Sequence, residues 1–295
     1  MAKKTKIIFF GNEQLAQGIK AKTPIFDALL AREDIEICAL VLPQAHVRKP
    51  FPITVQAQKH GINIRQVQKG SELLPIIKEL KPELGILAAF GRLVPENAIN
   101  AIPAGIINVH PSLLPKYRGT TPVESALLNG DAETGVSIMR LAKEMDAGNI
   151  LAQATVKITP ETTKQSLYEE LAKLGAQLLL DVIPGVIAKN AHETAQNDAE
   201  ATFTSKLSKD LAILKPAEKA AQTLYNEVRA YAGFPKSKAT LLGVPCTVTQ
   251  AHVASQPSSE LDLPCADGHY LIIDRLIPEN SKEMDAASFL NGHKG

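Results

Sequence analysis

The sequence predicts an α/β fold: an open, largely parallel sheet with helices on both faces, followed by a smaller module of one helix and several strands. Three observations point to it. Short continuous apolar runs, the pattern of strands buried on both faces, recur through the first half with helical periodicity between them. At 295 residues the chain exceeds the usual size of one domain. A polar stretch rich in Ala, Asn, Asp, Glu and Thr interrupts it at 190–205 and has the composition of a linker.

The run Lys6-Ile-Ile-Phe-Phe10 stops at Gly11-Asn12, as a buried parallel strand entering a loop does. Similar runs at 35–42, 84–90 and 105–109 alternate with helical patterns at 14–30, 53–60 and 71–80, which argues for βαβ units. In such sheets ligands bind beyond the carboxyl ends of the strands, so chemistry is to be sought in the loops near Gly11, Phe90 and Asn108. Two more strand-like runs follow at 135–141 and 150–158. An amphipathic helix over 162–189 comes next and is expected to end or kink at Pro184-Gly185. Past the linker come a helix at 216–231, strands at 238–242 and 244–253, a Ser/Pro-rich turn and a last strand at 269–276. The expected organisation is a first domain over 1–189, a linker over 190–205 and a second domain over 206–295.

A hydrophobic content of 45% with 21% charged residues excludes a disordered or collagen-like chain. With no Trp and 4% aromatic residues, a general stacking platform for single-stranded nucleic acid is disfavoured. Lys plus Arg is 32 against 31 for Asp plus Glu, so a polyanionic partner has to be met by a local basic patch. Residues 206–238 hold such an excess, Lys206 and Lys209 among it, offset by an acidic tail. Lysines sit in water whatever they bind, so a solvated face explains the excess equally well. Cys38, Cys246 and Cys265 are odd in number and widely spaced, which favours buried thiols in a reducing compartment over a disulfide or zinc framework. The N-terminal apolar run is too short for a signal peptide and no run approaches a membrane span, so a cytoplasmic location is expected.

The loop Gly11-Asn-Glu-Gln-Leu-Ala-Gln-Gly18 is not GxGxxG, and there is no Walker A sequence, so hydride and phosphoryl transfer lose their usual anchors. There is no GxSxG elbow, and the histidines lack HExxH spacing or neighbouring Cys ligands, so no metal is expected. One segment stands apart, Gly105-Ile-Ile-Asn-Val-His-Pro-Ser-Leu-Leu-Pro-Lys-Tyr-Arg-Gly119. Asn108 and His110 lie two apart at a strand end, so their side chains share a face, and Pro111 ends the strand. A carboxamide donor beside an imidazole suits a reaction that builds negative charge on a carbonyl oxygen and moves a proton. Taken alone, a strand-end His bonded to a neighbouring loop accounts for the same residues. The loop ending at Gly148 adds Asp146 as a partner for the imidazole.

Taken together, Asn-Val-His-Pro-Ser-Leu-Leu-Pro-Lys-Tyr-Arg-Gly at 108–119, Thr-Gly-Val-Ser-Ile-Met at 134–139 and Met-Asp-Ala-Gly at 145–148 resemble the signature of the folate-dependent formyltransferases. That signature is shared by enzymes acting on glycinamide ribonucleotide, amino sugars and methionyl-tRNA, and by formyltetrahydrofolate hydrolase. Ala88-Ala-Phe-Gly-Arg-Leu-Val-Pro95, the long second half and Phe203-Thr-Ser-Lys-Leu-Ser-Lys209 resemble the branch acting on methionyl-tRNA, over nearly the whole chain. The resemblance implies a Rossmann-like first domain and a C-terminal OB-like β-barrel domain that helps hold tRNA. Few strand-like residues lie between Ser255 and Cys265, so the barrel is expected to be short.

The resemblance further implies 10-formyltetrahydrofolate as formyl donor, initiator methionyl-tRNA as acceptor in translation initiation, and a monomer. By matching position it gives catalytic roles to Asn108, His110 and Asp146, a donor site to Ser112, Leu113, Leu114, Pro115, Phe90 and Gly91, and tRNA contacts to Arg48, Lys49, Lys206 and Lys209. The loop at 42–50 is shorter and less basic than is usual in the family, and Glu144 stands where a glycine is common. The alternatives are a formyltransferase for a nucleotide-linked amino sugar, which the short loop suits, and a noncatalytic folate- or RNA-binding relative. The presence of Asn108, His110 and Asp146 together disfavours the second.

Overall fold

The computed structural model describes residues 3–44 and 50–292. Its first domain runs β1 (Thr5–Phe10), α1 (Pro24–Leu30), β2 (Ile35–Pro43), α2 (Pro52–Lys59), β3 (Ile64–Val67), α3 (Leu73–Leu80), β4 (Leu84–Leu87), α4 (Glu96–Ile99), β5 (Ile106–His110), α5 (Pro122–Asn129), β6 (Glu133–Arg140), β7 (Ile150–Lys157) and α6 (Lys164–Ile187). The seven strands form one sheet in the order β3-β2-β1-β4-β5-β6-β7. Pairing is parallel from β3 to β5 and antiparallel from β5 to β7.

β1 reads as an unbroken apolar run because it lies inside the sheet, with β2 and β4 on either side. Its side chains alternate between two cores. Phe9 joins residues of α1 and α6 on one face, and Phe10 joins residues of α3 and α4 on the other. The sheet order turns at β1 and β4, and that switch point brings the loop after β1 against the loop after β4. Gly11 is required there: its φ is +109° and a Cβ would overlap the Ala88 carbonyl oxygen.

Residues 14–23, expected to be helical, form a loop, and α1 begins only at Pro24. The buried Glu13, at φ +58°, turns the chain, and its carboxyl accepts from Ile25 N at 2.9 Å and Phe26 N at 2.5 Å. An acid from the preceding loop thus satisfies the first turn of α1, a position where the helix dipole also favours negative charge. Helix α6 continues through Pro184, where a break was expected, because the proline falls in its last turn. The ring removes one donor, yet the Pro184 carbonyl still accepts from Ala188 N at 3.0 Å. Among the described residues no helix is long and apolar enough to cross a membrane.

The second module holds α7 (Ala221–Ala230), β8 (Ser237–Leu241), β9 (Val244–Ala254), β10 (Leu263–Pro264), β11 (Tyr270–Pro278), β12 (Met284–Asp285) and α8 (Ala286–Gly292). Its strands pair antiparallel in the order β10-β11-β9-β8, with β12 on β11, and curl into a half-barrel. Register shifts in β11 at Ile273 and Arg275 supply part of that curl. The curled sheet and α7 enclose Leu224, Val228, Val248, Leu271, Ile273 and Leu276. Cys246 and Cys265 are free thiols buried in this core, and Cys38 is half-buried. The module meets the first domain backbone to backbone where Gly18 and Gly233, both at positive φ, leave no room for a Cβ on either.

Candidate active site

The site is built at the end of β5. Period-two geometry puts Asn108 and His110 on one side of the strand, and both are buried. Asp146, from the loop between β6 and β7, stands opposite them. Its Oδ1 lies 3.5 Å from Asn108 Nδ2 and its Oδ2 lies 3.6 Å from His110 Nδ1. Gly119 N donates to the same Oδ2 at 2.8 Å. The Asn108 contact is at the long edge of hydrogen-bond range and the His110 contact is an ion-pair distance beyond it, while the Gly119 bond is full. The Asp146 side chain is 13% exposed.

The imidazole has a fixed tautomer. His110 Nε2 is 3.0 Å from the Tyr117 carbonyl oxygen, which only accepts, so Nε2 carries a proton and Nδ1 faces Asp146. Tyr117 presents that carbonyl from a φ of +61°. It is anchored at both ends. Its amide donates to Thr202 Oγ1 at 2.8 Å, its hydroxyl donates to Asp131 at 2.6 Å, and the hydroxyl oxygen accepts from Asn129 at 2.8 Å. Burial and the Asp131 carboxylate push the Tyr117 phenol up to about 12.

Ser112, Leu113, Leu114 and Pro115 form a bracket around this arrangement. Ser112 is buried, with its hydroxyl donating to Lys116 O at 2.6 Å. Ser137 of β6 donates to Ser112 O at 2.6 Å and accepts from Leu114 N at 3.1 Å, while Gln153 of β7 donates to Leu114 O at 2.9 Å. Leu114 is buried, and Leu113 occupies the space that a side chain at Gly135 would need. Pro115 O accepts from Thr202 N at 3.2 Å. Phe90 is buried edge-to-face on Phe10 and supports the loop after β4 from within the core. Gly91 has φ +67° and, among the described residues, nothing lies within 4 Å of a Cβ position there, at the carboxyl end of β4 beside β5.

The segment at 190–205 is docked rather than detached. Thr194 pairs with Ile150, Thr202 and Thr204 exchange backbone hydrogen bonds with Arg118, and Thr121 Oγ1 donates to Ser205 O at 2.8 Å. Gln196 in this segment bonds to the Asp146 loop and to the buried Arg118. Its sequence context is polar and aperiodic and carries no signal of this role. Lys206 and Lys209 follow directly and are exposed. Arg48 and Lys49, and with them His46, lie outside the described residues.

Among the acids and lysines, the strong electrostatic perturbations lie away from the β5 end. Burial pushes Glu13 up to about 8 and Lys164 down to about 8, and pushes Glu124 up. A cavity of about 160 Å³ borders the outer side of the bracket at Lys116, Tyr117, Asp131 and Thr134, and one of about 470 Å³ lies among Leu42, Phe51, Thr54 and Ile64. Neither is lined by Asn108, His110 or Asp146. Among the described residues no group of three His, Cys, Asp or Glu is placed to hold a metal ion.

The chain matches the family model of formyl transferase over residues 41–183 and that of the formyl transferase C-terminal domain over 206–294. It is 33% identical to the methionyl-tRNA formyltransferase of Latilactobacillus sakei, covering 98% of this chain and 94% of the relative. The methionyl-tRNA formyltransferase of Enterococcus faecalis is likewise 33% identical, with 98% and 96% covered. Among solved structures, an N-formyltransferase from Helicobacter canadensis in complex with folinic acid and dTDP-3-aminofucose superposes with a TM-score of 0.68 at 18% identity, over 92% of this chain and 99% of that one. HypX from Aquifex aeolicus in complex with tetrahydrofolic acid superposes with a TM-score of 0.63 at 16% identity, over 96% of this chain. The chain spans only 46% of HypX, and at such identities both structures speak to the fold alone.

Proposed function

The chain belongs to the formyl transferase family, and from that premise we propose that it transfers the formyl group of 10-formyltetrahydrofolate to the free amino group of initiator methionyl-tRNA, acting as a cytoplasmic monomer in translation initiation. The observation that carries the chemistry is the position of Asp146, within 3.6 Å of both Asn108 and His110 at the end of β5. The choice of acceptor is supported by relatives named for methionyl-tRNA at 33% identity along the chain, against 18% for the amino-sugar enzyme.

The reaction forms a bond between the amine nitrogen and the formyl carbon and breaks the bond from that carbon to the donor nitrogen. It needs a neutral amine, a stabilised tetrahedral oxyanion and a proton for the leaving nitrogen. Asn108 has two amide hydrogens, of which one faces Asp146 and the other serves the oxyanion. His110, held through Nε2 by Tyr117, adds a donor from Nδ1 in its protonated form and delivers the proton to the leaving nitrogen. Asp146 balances that charge and receives the proton lost by the amine. An oxyanion donor of this kind is worth about 3–4 kcal/mol, and positioned acid–base assistance about 10²- to 10⁴-fold.

The donor is a flat, polar heterocycle. It suits the open backbone at Gly91 and the bracket over Ser112, Leu113, Leu114 and Pro115, with Phe90 beneath the adjoining loop. Lys206 and Lys209 are exposed just past the segment that supports the site, where the phosphates of an acceptor arm approach it, and Arg48 and Lys49 are assigned to the same partner. Incubation with 10-formyltetrahydrofolate and either methionyl-tRNA or a nucleotide-linked amino sugar tests the reading. Formylmethionyl-tRNA is the expected product. Product from the sugar alone overturns the acceptor, and folate binding without turnover overturns the enzyme.

A further inference from the structure

We propose that Gln196 is a positioning residue for formyl transfer, holding the main chain of Asp146 so that its carboxylate stays between Asn108 and His110. The inference rests on the catalytic reading of Asp146 above. Asp146 sits at φ +51°, a conformation sparsely populated by residues that carry a Cβ, in a loop without regular secondary structure. Such a conformation persists where its surroundings fix it. Here the Gln196 amide nitrogen donates to Asp146 O at 2.8 Å and to Gly148 O at 2.7 Å, spending both hydrogens on the tip of the loop.

The orientation of that amide follows from its partners. Gln196 Oε1 accepts from Arg118 Nε at 3.1 Å and from Arg118 Nη2 at 2.8 Å. Arginine only donates and carbonyls only accept, so the amide cannot be reversed. The buried Arg118 is held in turn by Asp198 at 2.7 Å. The residue after it, Gly119, donates its amide hydrogen to the Asp146 carboxylate at 2.8 Å. The contacts close a ring: the Arg118-Gly119 dipeptide grips Asp146 at its carboxylate directly and at its main chain through Gln196. A side chain in a polar segment outside the first domain's regular elements therefore sets the aim of a group at the reaction centre.

The test is a comparison of Q196E and Q196A by single-turnover transfer from 10-formyltetrahydrofolate to methionyl-tRNA, with thermal unfolding as the check on the fold. Glutamate keeps the shape and the acceptor for Arg118, gains an ion pair, and turns an oxygen toward two carbonyls. We expect Q196E to retain the parental unfolding temperature and KM values while its transfer rate falls about 100-fold, the scale of an ångström-sized misplacement. Q196A is expected to fall by a similar factor. A residue that merely braced the segment through Arg118 would be rescued in Q196E, so parental transfer by Q196E overturns the proposal. Should Q196E not fold, Q196A decides by the same split: a lower rate at unchanged KM supports the proposal, and a parental rate overturns it. D146N separates the two levels. Parental transfer by D146N removes the underlying reading, whereas an impaired D146N beside a fully active Q196E removes only the role of Gln196.

Discussion

At the end of β5, Asp146 meets Asn108 and His110 with 13% of its side chain exposed. At the seam with the second module, Glu124 of α5 and Lys164 of α6 face each other at 3.7 Å with neither side chain exposed at all. Glu124 accepts from Gln17 N at 2.7 Å and, among the described residues, its other oxygen has no hydrogen-bond partner, while Lys164 donates to Phe234 O at 3.4 Å. Burial shifts both groups toward their neutral forms, and each pulls the other partly back. A search for perturbed ionisable groups would select this seam, and Glu13 with it. The contrast teaches that perturbation reports burial. Chemistry also needs donors aimed at a place where a substrate can stand, which the sealed pair lacks and which the proposed function requires at the β5 end.

The largest expected effect separates the two clusters by activity. Asp146→Asn should lower single-turnover formyl transfer by about 10²- to 10⁴-fold while leaving the unfolding free energy nearly unchanged, as measured by denaturant titration. The converse holds at the seam. Lys164→Met leaves the Glu124 charge buried and unpaired and should cost about 3–5 kcal/mol of stability, with transfer by the folded fraction within about twofold of the parent. Adding Glu124→Gln to Lys164→Met should return most of that loss, and a double-mutant cycle measures the coupling. Loss of transfer without loss of stability in the seam variants would erase the distinction between the two regions.

The pH dependence of stability sharpens it further. Glu13 rises from its ordinary 4.5 to about 8 on folding, so the native state binds more protons between those values. Its contribution is full below about 4.5 and is lost as pH rises through about 8, a slope of at most about 1.4 kcal/mol per pH unit that Glu13→Gln should flatten. Lys164 falls from its ordinary 10.5 to about 8, so the unfolded state binds more protons above 8 and stability recovers with pH in that window. Lys164→Met should remove that recovery. The smallest expected effect is on partner binding. Replacing Lys206 and Lys209 by Gln should weaken tRNA affinity and reduce the salt slope by about 2, and an unchanged slope would dissociate these lysines from tRNA.

What was legible in the sequence follows from how each feature is encoded. β1, β2 and β4 through β6 are buried on both faces or nearly so, and their apolar runs announce them. The shared face of Asn108 and His110 follows from strand periodicity, and Asp146 from a short motif. β3 and α4 are four residues long, too short for periodicity to stand out. The loop at 14–23 was illegible for another reason: Glu13 caps α1 through tertiary placement, which no local pattern records. Gln196 is the extreme case, since a glutamine in a polar stretch acquires meaning only when the chain lays it across the Asp146 loop.

Under the proposed function, Asn108, His110 and Asp146 act as one unit on a formyl group. The most direct test is the single-turnover rate of formylmethionyl-tRNA formation from 10-formyltetrahydrofolate by His110→Ala and by the triple variant Asn108→Ala, His110→Ala, Asp146→Ala, each checked to be folded. The expected result is that His110→Ala alone is impaired nearly as much as the triple variant, because the three groups serve one transition state. Parental transfer by the triple variant would contradict it.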